Sequence, residues 1–107
     1  MLFTMTNIRE SLKLTGHQKR HLRALAHHRP IAVTIGTAGL SDAVIAELEQ
    51  ALSHHELVKI KMPAAAKSAK SDLLHAACKH TGAAPVQLIG RVGIAYRPAD
   101  KSGIQLP

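Results

Sequence analysis

Three short apolar runs separated by stretches of helical period constrain the fold more than any other feature of this chain. The runs are Ile31 to Ile35, Leu57 to Met62 and Val86 to Ile89, each with the length and β-branched content of a strand. Between the first two, Val44, Ile45, Leu48, Ala51, Leu52 and His55 recur at helical spacing behind Ser41, a good helix cap. Asp42, Glu49 and Glu56 fall on the opposite side of that helix. Before the third run, a loop from Ala64 to Lys70 leads into a helix with Leu73, Leu74, Ala77 and Cys78 inward, and Gly82 is placed to close it. A further helix precedes all three runs. Thr15 and Gln18 make a capping box, Leu14, Leu22, Leu25 and Ala26 mark an apolar side, and Pro30 stops the helix after about His28. The Gly90-Arg91-Val92-Gly93 stretch turns the chain back into a fourth strand, Ile94 to Arg97, which Pro98 ends.

The order is therefore αβαβαββ. Helical crossovers run the first three strands parallel, and the closing hairpin adds an antiparallel one. Parallel strands covered on both faces read as unbroken apolar runs. Here Val58, Ile60 and Met62 alternate with Leu57, Lys59 and Lys61, and Val86 and Leu88 with Gln87. Alternation implies one solvated sheet face. The expected architecture is an α/β two-layer sandwich with a mixed four-stranded sheet and with Lys59 and Lys61 on or near its open face. At 107 residues, 46% of them hydrophobic, the chain has room for one folded domain. It is expected over residues 14–98, with loose tails at 1–13 and 99–107.

Charge is distributed unevenly. The net charge is +7. Six Lys or Arg and one acid lie between Arg9 and Arg29, whereas Ser41 to Glu56 holds four acids and no Lys or Arg. Five basic residues and one acid follow between Lys59 and His80, then three and one between Arg91 and Lys101. This excess points to an anionic partner, nucleic acid before membrane. No apolar run reaches the roughly 18 residues of a membrane span, and the start of the chain lacks the features of a secretory signal. A single cysteine, Cys78, rules out an internal disulfide and suits the cytoplasm. Phe3 and Tyr96 are the only aromatic residues apart from histidine. Stacking of single-stranded bases is therefore a poor option, and contact with phosphates and sugars the better one.

Catalytic patterns are weak. Glu47 and Glu49 diverge on a helix, no Ser-His-Asp order stands out, and no Walker loop is present. His17 and His21 could share a helix face as metal ligands, but no third ligand follows. The expectation is a protein that is not an enzyme and carries no metal or cofactor. A small metal-dependent enzyme stays open as an alternative, as does a protein-interaction module using the acidic side of the second helix. The most informative feature is Gly36-Thr37-Ala38-Gly39. It joins a strand end to a helix N-terminus, where glycines allow close approach of a ligand and free N–H groups favour a phosphate. Lys19, Arg23 and His27 recur every four residues on the first helix, with Arg20 beside them, as a basic stripe.

Four segments together resemble one family. They are Leu14 to Arg23, Val33 to Ser41 (VTIGTAGLS), His54 to Lys61 (HHELVKIK), and Gln87 to Arg91 continued by Tyr96-Arg97-Pro98. In this order they look like the CRM domain (chloroplast RNA splicing and ribosome maturation), in its stand-alone bacterial YhbY form. The resemblance implies a fold like the C-terminal domain of bacterial translation initiation factor three and an RNA-binding role on precursors of the large ribosomal subunit. It also makes Gly36 to Gly39 a loop like that of KH domains. Many family members have Lys after the first glycine, where this chain has Thr37, so flanking residues must supply the charge. The expected RNA-binding set is Gly36, Thr37, Ala38 and Gly39 with Lys19, Arg20, Arg23, Lys59, Lys61, Arg91 and Arg97. The expected partner is ribosomal RNA in large-subunit precursors, with ribosomal proteins as a second class, and the free protein is expected to be a monomer.

Overall fold

The computed structural model describes residues 13–99 and 103–107. Three helices and four strands follow in the expected order: α1 (Gly16–Ala26), β1 (Ile31–Thr34), α2 (Asp42–His55), β2 (Leu57–Lys61), α3 (Lys67–Thr81), β3 (Ala84–Ile89) and β4 (Val92–Tyr96). Thr15 caps α1 reciprocally. The Gln18 N–H donates to Thr15 Oγ1 at 3.1 Å, and the Thr15 N–H to Gln18 Oε1 at 3.0 Å. Ser41 Oγ accepts from the Val44 N–H at 3.2 Å and fixes the start of α2. Gly82 closes α3 in the left-handed conformation that a residue without Cβ adopts at little cost. α3 begins at Lys67 without a side-chain cap, inside the stretch expected as loop.

The sheet order is β1-β2-β4-β3. β1 runs parallel to β2, while β4 lies antiparallel between β2 and β3. The two-residue Gly90-Arg91 turn brings β4 back beside β3, with Gly90 at a φ of 59° in the first turn position. Gly93 of β4 sits over the core. A Cβ there would stand 2.6 Å from Met62 Cε and 2.9 Å from Leu74 Cδ1, so the bare backbone permits this close packing.

β2 sorts its side chains to two cores. Val58, Ile60 and Met62 join Val33, Ile35, Leu48, Leu52, Leu74, Ala77, Cys78 and Ala95 under α2 and α3. Leu57, on the other face, joins Leu22, Ala26, Val86, Ile94 and Tyr96 under α1. The open face implied by alternation is thus narrower than expected, because α1 covers part of it. Leu22 and Ala26 are fully buried there. In β3 the alternation breaks at an irregularity between Pro85 and Gln87. Val86 packs into the smaller core and Leu88 against the larger one, so the two do not share a face.

Glu56 departs from its expected place on the acidic side of α2. It stands just past the helix at a φ of 63° and is 8% exposed. This left-handed turn carries its carboxylate to the Gly103 N–H, which donates to Oε2 at 2.9 Å. Ile104 and Leu106 then pack against the smaller core, and Gln18 Nε2 donates to the Pro107 carbonyl at 3.3 Å. Residues 103–107 are therefore tied to the domain rather than forming a loose tail. The other expected tail lies outside the described residues except for Lys13. His55, expected in the core, is exposed, since α2 ends there and rotates it outward.

Cys78 is buried, and desolvation pushes its thiol up to about 12 from the ordinary 9.0. Above pH 9 the unfolded chain ionises at this residue while the folded one does not. Stability from Cys78 is therefore complete below about pH 9 and falls as pH rises toward 12. At pH 8 the native protein should resist iodoacetamide, and unfolding in guanidinium should expose one alkylatable thiol, a difference that mass spectrometry reads directly.

Candidate nucleic-acid interface

The part of the sheet face that α1 leaves uncovered becomes one wall of a groove of about 450 Å³. α1 contributes Arg20, Arg23 and Ala24, and its C-cap His27 continues the same side at three- and four-residue spacing. The sheet contributes Lys59, Ile89, Val92 and Ile94. Register explains the floor: Lys59 pairs with Ile94, Lys61 with Val92, and Ile89 with Val92 across the strands. Among the described residues no carboxylate lines the groove. Ile31 and Ile89 are the exposed large apolar residues of the described chain, 42% and 51% accessible. Ile31 pairs with Lys59 and Ile89 lines the groove, so apolar contact is available beside the cations.

Arg23 is held to β3, its Nη1 donating to Gln87 Oε1 at 3.3 Å. Gln87 therefore positions a site residue, which its place in an apparently alternating strand did not announce. Lys61 is exposed at the end of β2. The Ile35 N–H donates to the Lys61 carbonyl at 2.8 Å, so the glycine loop leaves the sheet beside Lys61. Arg91 stands at the same end. The Met62 N–H donates to the Arg91 carbonyl at 2.7 Å, and Arg91 Nε to the Met62 carbonyl at 3.1 Å. These two bonds leave the terminal guanidinium nitrogens of an exposed residue for a ligand.

Gly36, Thr37 and Ala38 are exposed. The Gly39 N–H donates to the Gly36 carbonyl at 3.0 Å and closes a tight turn. The two glycines differ. Gly39 has a φ of 75°, which demands glycine, whereas a Cβ on Gly36 would meet nothing within 4 Å. Neither space nor a left-handed backbone requires glycine at position 36. Its structural consequence is an exposed, bare peptide. Among the described residues the Thr37 and Ala38 N–H groups have no acceptor.

Two expected site residues fall outside this surface. Lys19 is exposed on α1, but the groove side of the helix passes through Arg20 and Arg23 instead. Arg97 is a brace. Its Nη1 donates to Glu49 Oε2 and to the Thr81 carbonyl, both at 2.8 Å, and its Nη2 to Ser53 Oγ at 3.0 Å and the Glu49 carbonyl at 3.3 Å. The guanidinium ties α2 to α3, and Glu49 neutralises it. It adds nothing to a field for phosphates. The same pair, with the inward turn of Glu56, leaves only Asp42 of the three residues expected on the acidic side of α2. Groove residues missed in the sequence are the apolar Ile89, Val92 and Ile94, whereas His27 already stood in the basic stripe read from the helical spacing. No group of three His, Cys, Asp or Glu side chains comes together as a metal site among the described residues. None of their helices is long and apolar enough to cross a membrane.

A cationic sheet face flanked by one helix, with a glycine loop at its end, defines a small α/β domain with a polyanion-sized surface. The chain belongs to the CRS1 / YhbY (CRM) domain family, whose model matches residues 14–97. It is 44% identical over 94 residues to a Haemophilus influenzae protein named an RNA-binding protein, covering 88% of this chain and 95% of that one. It is 34% identical over 95 residues to YqeI of Bacillus subtilis, named a probable RNA-binding protein, covering 88% and 99%. The fold matches the solution structure of a hypothetical Staphylococcus aureus protein described as a candidate RNA binder. That match has a TM-score of 0.79 and 32% identity, over 89% of this chain and all of the other.

Loss of the Arg97 brace should be felt as stability. Arg97→Met leaves the Thr81 carbonyl and the Glu49 carboxylate without their charged donor. With Glu49 partly solvated, the cost should be about 2 kcal/mol, read as a lower urea midpoint with an unchanged slope.

Proposed function

We propose that this protein binds structured RNA through its sugar–phosphate backbone and acts in the cytoplasm as an assembly factor on precursors of the large ribosomal subunit. The observation that carries the reading is the groove between α1 and the open sheet face, where Arg20, Arg23 and Lys59 converge with no carboxylate among the described lining residues. Cations in that arrangement neutralise phosphates and release counterions. The apolar floor offers Ile89 and Val92 to sugars, and the chain has almost no aromatic surface for bases to stack on. At the end of the sheet, Lys61, Arg91 and the bare peptide at Gly36 continue the track. The names of the relatives support RNA as the partner, and the family resemblance supports the ribosomal precursor.

Affinity for an RNA hairpin should fall steeply with salt, by roughly one unit of log–log slope for each phosphate contacted. The double variant Lys59→Glu, Lys61→Glu should keep the fold and lose on the order of tenfold or more in affinity at low salt. Unchanged binding would remove the sheet face from the contact surface. Sedimentation of cell extract tests the finer role: the protein should travel with large-subunit precursors, and migration only at the top of the gradient counts against it.

Gly36→Ala separates function from folding. Nothing in the structure opposes the added methyl, so stability should change by less than about 0.5 kcal/mol. If the loop backbone meets a phosphate, affinity should drop by about fivefold, the worth of one hydrogen bond. Equal affinity of the variant and the parent would mean that the loop does not touch RNA.

A further inference from the structure

A second concavity, about 460 Å³, opens at the other end of β1 and β2. Arg29, Lys59, His54 and His55 bring positive or protonatable groups to its lining, and Ala32 and Ile104 supply apolar wall. Lys59 lines this pocket and the groove alike, so the two are joined through one side chain.

Arg29 has no carboxylate partner among the described residues. Its Nη1 donates to the carbonyls of His55 at 2.9 Å and Leu57 at 3.0 Å. Those bonds orient a half-buried guanidinium, and among the described residues Nε and Nη2 have no acceptor. The side chain of Lys59, also half-buried, makes no hydrogen bond within the described chain. His54 uses Nδ1 on the Gln50 carbonyl at 2.8 Å, which leaves Nε2 for a ligand. Among the described residues the pocket has one acid, Glu56, 8% exposed, whose Oε2 accepts from the Gly103 N–H and whose Oε1 accepts from the Ala99 N–H. A fixed guanidinium and an ammonium, neither in an ion pair among the described residues, fit a phosphodiester in one concavity, and the apolar wall fits the adjoining sugar.

We propose that this pocket is a second backbone subsite of the same RNA, holding a phosphate between Arg29 and Lys59 where the strand passes around the C-terminal end of α1. The proposal rests on the reading that the groove binds RNA. It lengthens the contact surface from the α1 groove to the end of α2.

The test is an NMR titration of the whole protein with an RNA hairpin, alongside hairpin affinities of Arg29→Gln and of His54→Gln with His55→Gln. The amides of Arg29, Leu57 and Ile104 should shift together with those of Arg23 and Val92. Arg29→Gln should weaken binding by about tenfold and flatten the salt slope by roughly one unit. The histidine pair, exposed on the last turn of α2, should weaken binding less and leave the fold intact. Shifts at Arg23 and Val92 with none at Arg29, Leu57 and Ile104 would overturn the subsite while leaving the groove in place. That result holds even if Arg29→Gln fails to fold, because it is read on the parent protein. Full affinity and slope in a folded Arg29→Gln variant would also overturn it. Shifts at the pocket with inorganic phosphate but not with RNA would assign it to a free anion and overturn the proposal. Absence of any salt-dependent RNA binding by the parent protein would sink the groove reading and this one together.

Discussion

The two-sided burial of β2 is the constraint on which the rest of the molecule depends. Val58, Ile60 and Met62 enter the larger core, each almost fully buried, and burial of such side chains is worth about 1.5–3 kcal/mol apiece. A slip of one residue would put Lys59 and Lys61 into that core, where burying a charge is costly. The register that secures the core therefore also fixes two cations on the opposite face. β4 then inserts beside β2 and lays Val92 and Ile94 against those lysines. Core and candidate interface are two sides of one strand.

α1 turns that face into a groove. Its apolar side docks Leu22 and Ala26 beside Leu57, Ile94 and Tyr96, and the adjacent side of the same helix overhangs the sheet with Arg20, Arg23 and His27. The helix conceals part of the face and concentrates charge along what remains. Arg29, just past its end, reaches back to the carbonyls of His55 and Leu57. That contact locks the α1–β1 connection to the point where α2 becomes β2. The left-handed turn at Glu56 sits at the same point and recruits residues 103–107. The junction between α2 and β2 thus gathers the α1–β1 connection and residues 103–107.

Charged residues divide by what they can reach. Arg97 and Arg91 look alike in the sequence, each near a strand end and close to glycine or proline. Arg97 lies where α2 and α3 converge and spends its donors on Glu49, Thr81 and Ser53. Arg91 sits in an exposed turn and spends only Nε on the neighbouring strand. Glu49 and Glu56 likewise leave the acidic side of α2 for structural work. No pattern along the chain separates these cases, because the partners lie 16 to 48 residues away.

Local physics settled most of the fold. Caps at Thr15 and Ser41, the closing glycine at 82, the periods of the helices and the alternation in β2 follow from interactions spanning a few residues. They were enough to give the element order, the mixed sheet, the lysines on the outer face and the exposed glycine loop. Long-range packing decided the remainder: the docking of α1 across the supposedly open face, the break in β3 that parts Val86 from Leu88, and the anchoring of the C-terminal residues. It also withdrew Arg97 and Lys19 from the groove, and brought Arg29 and Lys59 to a second concavity. These features depend on which distant backbone carbonyl or carboxylate comes within about 3 Å of a side chain, and only the assembled sheet with its helices fixes those distances.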